Sequence, residues 1–390
     1  MIMSRIKGVY MGLAFCASMS LFACNNTTQS TKTMNDSLNN GLDTLAFSKV
    51  IHGRKTSSYE IGNGQITAHF TNYGARIVSL WFADKDGVLT DVVVGFENID
   101  NYLKSTESYF GATIGRYGNR IAKGKFSLDG VEYQIPLNNG QNALHGGKKG
   151  FQDVVWDVEQ PDGKTLIFTY LSKDGEEGFP GNLTTKVTYS ITDNNELKME
   201  YEASTDKKTV VNLTNHAFFN LNGEGSGEIL NHSVQIFADK FNPVDSTLIP
   251  TGQLQSVSNT PFDFNSAKTI GERINADNEQ LKFGKGYDHN YILSGKKGNG
   301  MLHAATVVGD KSGIKMDIFT QEPGMQFYSG NFMQGKNKFK NGSTDDFRTA
   351  FAMETQHFPD SPNRPSFPST VLNPGEKYHT ISIYKFSNEK

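Results

Sequence analysis

One histidine of this sequence, His216, lies among amide, hydroxyl and aromatic side chains that could hold a polar ligand next to it. A histidine in such a place could transfer a proton to or from that ligand. His216 lies in the segment Val210–Leu221, which is rich in Val, Leu, Thr and Phe, contains neither Gly nor Pro, and is therefore predicted to be a β-strand. Side chains alternate between the two faces of a strand, so one face of this strand is largely apolar. The other face carries the polar side chains of Asn212, Thr214, His216 and Asn220 together with the ring of Phe218. This pattern is typical of the floor of a groove. For a single strand, a solvated outer face with one stray histidine is more common, so the partners of His216 decide between the two.

Five further segments carry polar or aromatic side chains that could act together with His216. They are Gly115–Ile121 with Arg116, Asn119 and Arg120, Asn138–Gly147 with His145, Asp174–Gly181 with Phe179, Gly286–Tyr291 with Asp288, and Ala352–Asn363 with Glu354. The planar guanidinium of an arginine suits vicinal hydroxyls or a carboxylate, and the ring of Phe179 could stack on a ligand. Taken one at a time, each segment is equally consistent with a surface turn held by salt bridges.

The elements that must position these residues are predicted to be β-strands. The 390-residue chain contains 39 Gly, 27 Phe and 15 Tyr, and its short alternating segments are separated by Gly, Asn and Asp turns. Helical patterns are confined to one turn near Ile99–Leu103 and one near Thr269–Asn275. No fixed repeat and no change of composition after residue 48 divides the chain. We therefore expect one large all-β domain over residues 49–390, a sandwich of packed antiparallel sheets with minor helix.

The N-terminal segment is typical of a targeting signal. Arg5 and Lys7 precede an apolar run that ends at residue 23 and is followed by Cys24. This arrangement resembles a bacterial lipoprotein signal, in which residues 1–23 are removed and Cys24 is lipidated. An ordinary secretory signal or an N-terminal membrane helix are the alternatives, although the run is short for a membrane span. Residues 24–48, which are rich in Asn, Thr and Ser, are predicted to form a flexible tether.

Charge and cysteine content exclude several functions. A formal net charge of −3 without Lys/Arg clusters argues against a nucleic acid partner. No polybasic amphipathic segment suggests membrane-surface binding, which leaves the lipid on Cys24 as the only predicted membrane contact. Because the two cysteines are Cys16 and Cys24, the mature domain can use neither disulfides nor thiol catalysis nor a Cys-based zinc site.

Six motifs, taken together and in this order, resemble the aldose 1-epimerase (galactose mutarotase) family. They are Gly-Arg-Tyr-Gly-Asn-Arg-Ile at 115–121, Asn-Ala-Leu-His-Gly-Gly at 142–147, Asp-Gly-Glu-Glu-Gly-Phe-Pro-Gly at 174–181, Asn-Leu-Thr-Asn-His-Ala-Phe-Phe-Asn-Leu at 212–221, Tyr-Asp-His-Asn at 287–290 and Glu-Thr-Gln-His-Phe-Pro-Asp-Ser-Pro-Asn at 354–363. The resemblance extends from about residue 50 to the C-terminus. Gln141 departs from it, standing where a proline is common in the loop that bears His145. The resemblance implies a galactose mutarotase-like supersandwich and an isomerase of hexose metabolism, which interconverts the α and β anomers of aldoses such as glucose and galactose.

That reaction opens and recloses a hemiacetal ring, so a base must take the proton of the C1 hydroxyl while an acid protonates the ring oxygen. By resemblance, Glu354 is the base and His216 the acid. A histidine with an ordinary pKa of about 6.5 could hold and release that proton near neutral pH. The resemblance further implies five substrate-binding residues, which are Asn119, Arg120, His145, Asp288 and Gln326. No cofactor is implied because only protons move, and a structural calcium ion is left open.

Three rival interpretations use the same residues. A glycoside hydrolase needs two carboxyl groups, which Asp288 and Glu354 could supply, but its histidines would be idle. A non-catalytic sugar-binding lipoprotein would not need both His216 and Glu354. A metal site built from His145, His216, Glu354 and His357 lacks ligand-type spacing on a helix. We therefore expect an enzyme without a metal that is anchored to the bacterial cell envelope, faces the periplasm, and is a monomer.

Overall fold

The computed structural model describes residues 1, 2, 8 and 43–389 of the chain. The predicted signal segment 1–23 lies outside the described residues except at three positions, and Cys24 lies outside them altogether. Residues 43–389 belong to one compact unit. In the described part of the chain, no helix combines the length and the apolar character that a membrane crossing requires.

The folded domain begins a few residues before the predicted boundary at residue 49. Thr44–Phe47 form a 3-10 helix, and the Asp43 side chain caps it by accepting a hydrogen bond from the Leu45 amide at 2.9 Å. The ring of Phe47 is fully buried and lies 6.4 Å from that of Tyr102. Burial of a phenylalanine ring stabilises a fold by about 2–3 kcal/mol. The last residues of the predicted tether 24–48 therefore belong to the packed domain.

A large ten-stranded sheet forms one side of the domain, and its neighbouring strands pair antiparallel, as predicted. In order across the sheet, its strands are Asp157–Asp162, Thr165–Ser172, Leu183–Ile191, Glu196–Thr205, Tyr378–Asn388, Ile314–Thr320, Met301–Val308, Ser233–Ile236 and Lys268–Thr269, with Lys297–Gly298 paired to Met301–Val308.

Two smaller sheets and five strand pairs complete the β-structure. The six-stranded sheet has the order Phe218–Phe219, Phe351–Gln356, Gly324–Tyr328, Asp288–Leu293, Ala238–Phe241 and Gln255–Ser256. The four-stranded sheet has the order Ser58–Gly62, Ile66–Thr71, Arg76–Ala83 and Leu89–Asp91. The pairs are Val50–Ile51 with Arg54–Lys55, Ala112–Ile114 with Thr214–His216, Arg120–Ile121 with Ala143–Leu144, Lys125–Leu128 with Val131–Gln134, and Thr209–Val210 with Val371–Leu372.

Helices are short in the described residues. The two α-helices are Ile99–Lys104 and Glu279–Gly284. The 3-10 helices are Thr44–Phe47, Ala122–Gly124, Phe151–Asp153, Glu176–Gly178, Ile270–Glu272 and Ser361–Asn363. The turn predicted near Ile99 is confirmed. The one predicted near Thr269 is only a 3-10 turn, and the α-helix follows it, starting where Asn278 caps the amides of Gln280 and Leu281.

The ten-stranded sheet packs one face against both smaller sheets. Glu196–Thr205 alternates buried and more exposed residues, as expected for a strand with one face in the core. Phe70 of the four-stranded sheet lies 4.9 Å, ring to ring, from Tyr189 of the large sheet. The Tyr384 hydroxyl of the large sheet donates a hydrogen bond to the carbonyl of Met353 in the six-stranded sheet at 2.5 Å. This layering confirms the predicted sandwich.

The segment around His216 was predicted to be one continuous strand. The structure instead has three short strands there, each in a different sheet. Every residue from 209 to 221 is buried, so neither face of the segment is solvated. Two of its amides satisfy backbone groups of neighbouring segments. Asn212 Nδ2 donates to the carbonyl of Gly118 at 3.1 Å, and Asn220 Nδ2 donates to that of Gly227 at 2.9 Å. The alternation of polar residues therefore reflects buried hydrogen bonding at a junction of sheets.

Candidate active site

A cleft of about 930 Å³ brings together six of the seven predicted site residues. Its lining includes Asn119, Arg120, His145, His216, Asp288 and Glu354. Glu354 lies on the strand Phe351–Gln356, whose residues are all buried, and Asp288 begins a strand two positions away in the same sheet. A rigid sheet therefore fixes the two carboxyl groups. A cleft of this volume lies in the range that proteins use for small-molecule ligands.

Gln326 is the one predicted binding residue that is not among the described residues lining the cleft. It lies on Gly324–Tyr328, between the strands that carry Glu354 and Asp288, and is paired in register with Glu354. Its Nε2 donates a 2.6 Å hydrogen bond to Asp288 Oδ1. Through this bond Gln326 orients the Asp288 carboxylate, while its own Oε1 has no hydrogen-bond partner among the described residues.

Arg120 and Asp288 form a buried pair of donor and acceptor groups in the cleft. Arg120 Nη2 lies 3.8 Å from Asp288 Oδ2, and both side chains are buried. Asn139 Oδ1 accepts a 3.2 Å hydrogen bond from Arg120 Nε, which fixes the guanidinium. Burial raises the pKa of Asp288, while the charge of Arg120 opposes that shift. The pair offers fixed N–H donors beside carboxylate acceptors, which suits the hydroxyls of a sugar.

Glu354 and His216 face each other across a short gap. Glu354 Oε1 lies 3.5 Å from His216 Nε2, and both side chains are nearly inaccessible to solvent. Among the described residues, neither Glu354 Oε2 nor His216 Nδ1 has a hydrogen-bond partner. Buried polar atoms in proteins are normally paired, so each unpaired one needs an explanation. At the wall of a cleft, one explanation is that a ligand supplies the partner.

His145 is held by the backbone of the neighbouring loop. The Asn119 amide donates to His145 Nδ1 at 3.1 Å, so the neutral ring carries its proton on Nε2. The His145 ring meets that of His216 edge to face at 5.1 Å. Asn119 and His145 have φ values of 64° and 50°, a left-handed conformation that is unfavourable for residues other than glycine and concentrates at functional sites.

Gly146 allows the loop of His145 to approach the segment that carries Asn119 and Arg120. A Cβ at Gly146 would lie 2.1 Å from the carbonyl oxygen of Gly115, and its φ is 88°. Both the close approach and the conformation require glycine here.

Burial changes the proton affinities of the central groups. Loss of hydration lowers the pKa of His216 to about 3, and it also lowers that of His145 well below its ordinary value. The same loss of hydration, together with the nearby Asp288 charge, raises the pKa of Glu354. The expectation that His216 titrates near its ordinary pKa is therefore wrong for this site, because the imidazole is removed from water.

Three aromatic or cationic side chains that the sequence suggested as ligand contacts belong to the supporting structure. Phe179 is buried in a small core cluster, and the guanidinium of Arg116 lies 5.6 Å from its ring centroid. Arg116 also donates to the carbonyls of Pro180 and Gly181, both at 2.9 Å. Phe218 is fully buried and stacks on His216. These residues hold the walls of the cleft together.

Several residues that line the cleft were not identified from the sequence. Tyr109 contacts the rings of both His145 and His216, at 4.5 and 5.7 Å between centroids. Glu107 adds another carboxyl group, whose pKa burial raises to about 7. Phe332 also lines the cleft, and Lys285 Nζ lies 5.2 Å from its ring centroid. No spacing rule distinguishes these residues from ordinary surface or core positions in the sequence.

Three of the four residues considered as metal ligands do come together. His145, His216 and Glu354 each offer one ligand atom, and these atoms lie within 4.8 Å of one another. His357 lies apart from them and pairs through Nδ1 with Glu322 Oε2 at 2.6 Å. Two imidazoles and one carboxylate suit a zinc-like ion, whereas calcium prefers six to eight oxygen ligands.

Comparison with known proteins agrees with this site. The family model described as aldose 1-epimerase matches residues 57–385. The chain is 42% identical over 329 residues to galactose mutarotase of Bos taurus, covering 84% of this chain and 93% of that protein. It is 38% identical to aldose 1-epimerase of Escherichia coli (strain K12), covering 84% and 94%.

Solved structures show the same fold. A crystal structure of an aldose epimerase homologue from C. elegans has a TM-score of 0.79 and 33% identity, covering 86% of this chain and all of that one. Galactose 1-epimerase from Lactobacillus acidophilus NCFM has a TM-score of 0.77 and 27% identity, covering 88% and 97%. The match extends over most of the folded domain and includes each motif around the cleft, so this chain belongs to the aldose 1-epimerase family.

Proposed function

We propose that the cleft binds the ring form of an aldose and interconverts its α and β anomers, with Glu354 as base and His216 as acid. The observation that carries this proposal is the 3.5 Å approach of Glu354 Oε1 to His216 Nε2, in a cleft whose other polar groups suit hydroxyls. Galactose and glucose are the first substrates to test, since several relatives are named as galactose mutarotases.

In the proposed reaction, the Glu354 carboxylate takes the proton of the hydroxyl on C1, and the electrons of that O–H bond form the carbonyl. The bond from C1 to the ring oxygen breaks, and the ring oxygen takes a proton from the His216 imidazolium. After rotation about the bond between C1 and C2, the two groups exchange roles and the ring recloses on the other face of C1. Each group ends in its starting protonation state, so no cofactor takes part.

The pKa shifts at the site have two opposing effects on these roles. Burial raises the pKa of Glu354 and lowers that of His216, so in the empty cleft the neutral forms of both groups predominate. The charged pair that the reaction uses is therefore a minor state, but its carboxylate is a stronger base and its imidazolium a stronger acid than exposed groups would be. The rate depends on the product of that population and that proton-transfer driving force. Arg120, Asp288, Asn119 and His145 would hold the sugar hydroxyls, and Gln326 would orient Asp288.

A polarimetric assay tests the proposal directly. Freshly dissolved α-D-galactose or α-D-glucose should reach anomeric equilibrium faster in the presence of the protein, while aryl glycosides stay intact. Asp288 is held by Arg120 and Gln326, which leaves it poorly placed to act as the second carboxyl group of a glycoside hydrolase. Release of an aryl alcohol would support hydrolysis instead, and binding without acceleration would support a non-catalytic sugar-binding protein.

Removal of metal ions should leave the rate of mutarotation unchanged. The proposed chemistry moves only protons. His145, His216 and Glu354 nevertheless lie close enough together to coordinate a metal ion, which is why the prediction needs a test. The measurement compares protein dialysed against EDTA with untreated protein, by polarimetry and by metal analysis. A rate that falls on dialysis and returns with added zinc would instead assign the three residues to a metal centre.

The predicted lipid anchor on Cys24 remains part of this proposal, with the domain facing the periplasm. Replacement of Cys24 by Ser should move the protein from the membrane fraction to the soluble fraction, because the thiol that accepts the lipid is lost. Immunoblots of the two fractions measure the change, and Cys16→Ser serves as the matched control. A Cys24→Ser protein that stays with the membrane would overturn the lipoprotein assignment.

A further inference from the structure

The imidazole of His216 lies between two aromatic side chains. Phe218, a buried core residue, stacks on it with a centroid distance of 4.7 Å and an interplanar angle of 29°. Tyr109, which lines the cleft, stacks on it at 5.7 Å and 25°. One ring therefore covers the imidazole from the core and the other from the cleft.

Hydrogen bonding does not explain how the ring is oriented. In residues 43–389, His216 Nδ1 has no hydrogen-bond partner, and the closest ionisable contact of Nε2 is Glu354 Oε1 at 3.5 Å. A functional histidine normally owes its orientation to a hydrogen bond on its second nitrogen. For His145 the Asn119 amide has this role. For His216 that constraint must come from packing.

We propose that Tyr109 and Phe218 are the positioning residues of His216, an inference that rests on the function proposed above. The flat faces of their two rings hold His216 Nε2 toward Glu354 and keep water off the imidazole. Stacking fixes the plane of an imidazole without engaging either nitrogen, so both nitrogens stay free for proton transfer. Neither ring needs to touch the sugar for this role.

The charged neighbours of His216 are few. The ionisable side chains that face it are Glu354 from the six-stranded sheet, His145 from the loop before Gly146, and Tyr109 itself. Removal of the Tyr109 ring would expose the imidazole to water, while Glu354 keeps its place on the sheet and His145, which loses a ring contact at 4.5 Å, stays bonded to the Asn119 amide. Because burial lowers the pKa of His216, added hydration should move that pKa upward, toward the ordinary value.

The test compares Tyr109→Leu, which removes the flat ring, with Tyr109→Phe, which keeps it and removes only the hydroxyl. We expect Tyr109→Leu to lower kcat about tenfold with little change in KM, because orientation is lost. The His216 proton signals, followed by NMR against pH, should titrate at higher pH in Tyr109→Leu than in the parent. Tyr109→Phe keeps the ring face and loses only the 3.4 Å hydrogen bond that its hydroxyl accepts from Asn138 Nδ2, so it should lose less kcat and shift the His216 titration less than Tyr109→Leu. If Tyr109→Leu does not fold, Tyr109→Met provides similar volume without a ring face.

Three results would overturn the inference. One is an unchanged kcat and an unchanged His216 titration in Tyr109→Leu. Another is an equal loss in Tyr109→Phe, which would assign the effect to the hydroxyl. The third is a change in KM alone, which would make Tyr109 a sugar contact. The NMR titration needs no activity, so an inactive parent protein would refute the proposed function while still allowing the positioning role to be tested.

Discussion

Replacement of Glu354 by Gln is expected to lower the rate of catalysed mutarotation about a thousandfold. The amide keeps the size and shape of the carboxyl group but cannot accept the proton of the C1 hydroxyl. Folding should survive, because the change removes a buried carboxyl group whose Oε2 has no hydrogen-bond partner in residues 43–389. Burying such a group without a partner is unfavourable. We therefore expect a melting temperature equal to or above that of the parent.

Polarimetry and thermal melting of the same preparation decide this prediction. Glu159→Gln is the matched control, since Glu159 is exposed on an edge strand and its replacement should leave both values unchanged. A folded Glu354→Gln protein with an undiminished rate would remove Glu354 from the mechanism. In the parent, the rate should fall as the pH rises through the raised pKa of Glu354, because the pair then loses the single proton that the cycle needs and His216, with its lowered pKa, has none to give.

Replacement of His216 by Asn is expected to lower kcat by about a hundredfold to a thousandfold. Asn can donate a hydrogen bond but cannot deliver a full proton to the ring oxygen. The Asn119 amide holds the His145 ring in its own orientation, edge on to His216, so its Nε2–H does not stand where His216 Nε2 was. His379→Asn is the control, since His379 pairs with Glu200 on the exposed face of the large sheet.

The double variant Glu354→Gln/His216→Asn makes this prediction sharper. If both groups serve one proton cycle, the second change should add little to the first, because residues that act as a unit are not additive. Losses that multiply would indicate two independent contributions to the rate, and the acid–base pairing proposed for the two residues would then be wrong.

The site residues could be named from the sequence because six motifs, in this order, resemble one family. Glu354, His216, His145, Arg120 and Asp288 all line one cleft. Taken singly, each of these segments was equally consistent with a surface turn, so local composition alone did not assign the site. The all-β sandwich, by contrast, followed from alternating strands and turn residues, which a sequence displays directly.

Other features depended on contacts between distant segments. In the sequence, Tyr109 cannot be distinguished from an ordinary core aromatic residue. Its role depends on its stacking against His216, which only the folded structure shows. Phe218 was placed on the same strand face as His216, and it lies in the core and stacks on that histidine. Gln326 was predicted as a sugar contact, and the sequence did not show that its Nε2 donates to Asp288 Oδ1. Local alternation cannot report which sheet a short strand joins.

The proton affinity of His216 could not be predicted from sequence either. An ordinary pKa was the reasonable assumption for a histidine on a half-polar strand. The actual environment comes from burial of the whole segment 209–221 at the junction of three sheets, and from stacking against Phe218. Loss of hydration is a property of the assembled fold, so the shift it causes has no sequence signature.

The burial of residues 209–221 has a consequence for how natural variation in this protein is interpreted. Asn212 and Asn220 serve the backbone, whereas His216, between them, serves the cleft. Evolution should therefore restrict substitution at all three positions, at Asn212 and Asn220 for the sake of folding and at His216 for the sake of chemistry. Invariance of these residues across relatives would thus not separate their roles. A substitution at Asn212 that abolishes activity would indicate that the junction of the three sheets does not assemble. Measurement of the amount of soluble protein together with the rate distinguishes such a folding variant from one with a catalytic defect.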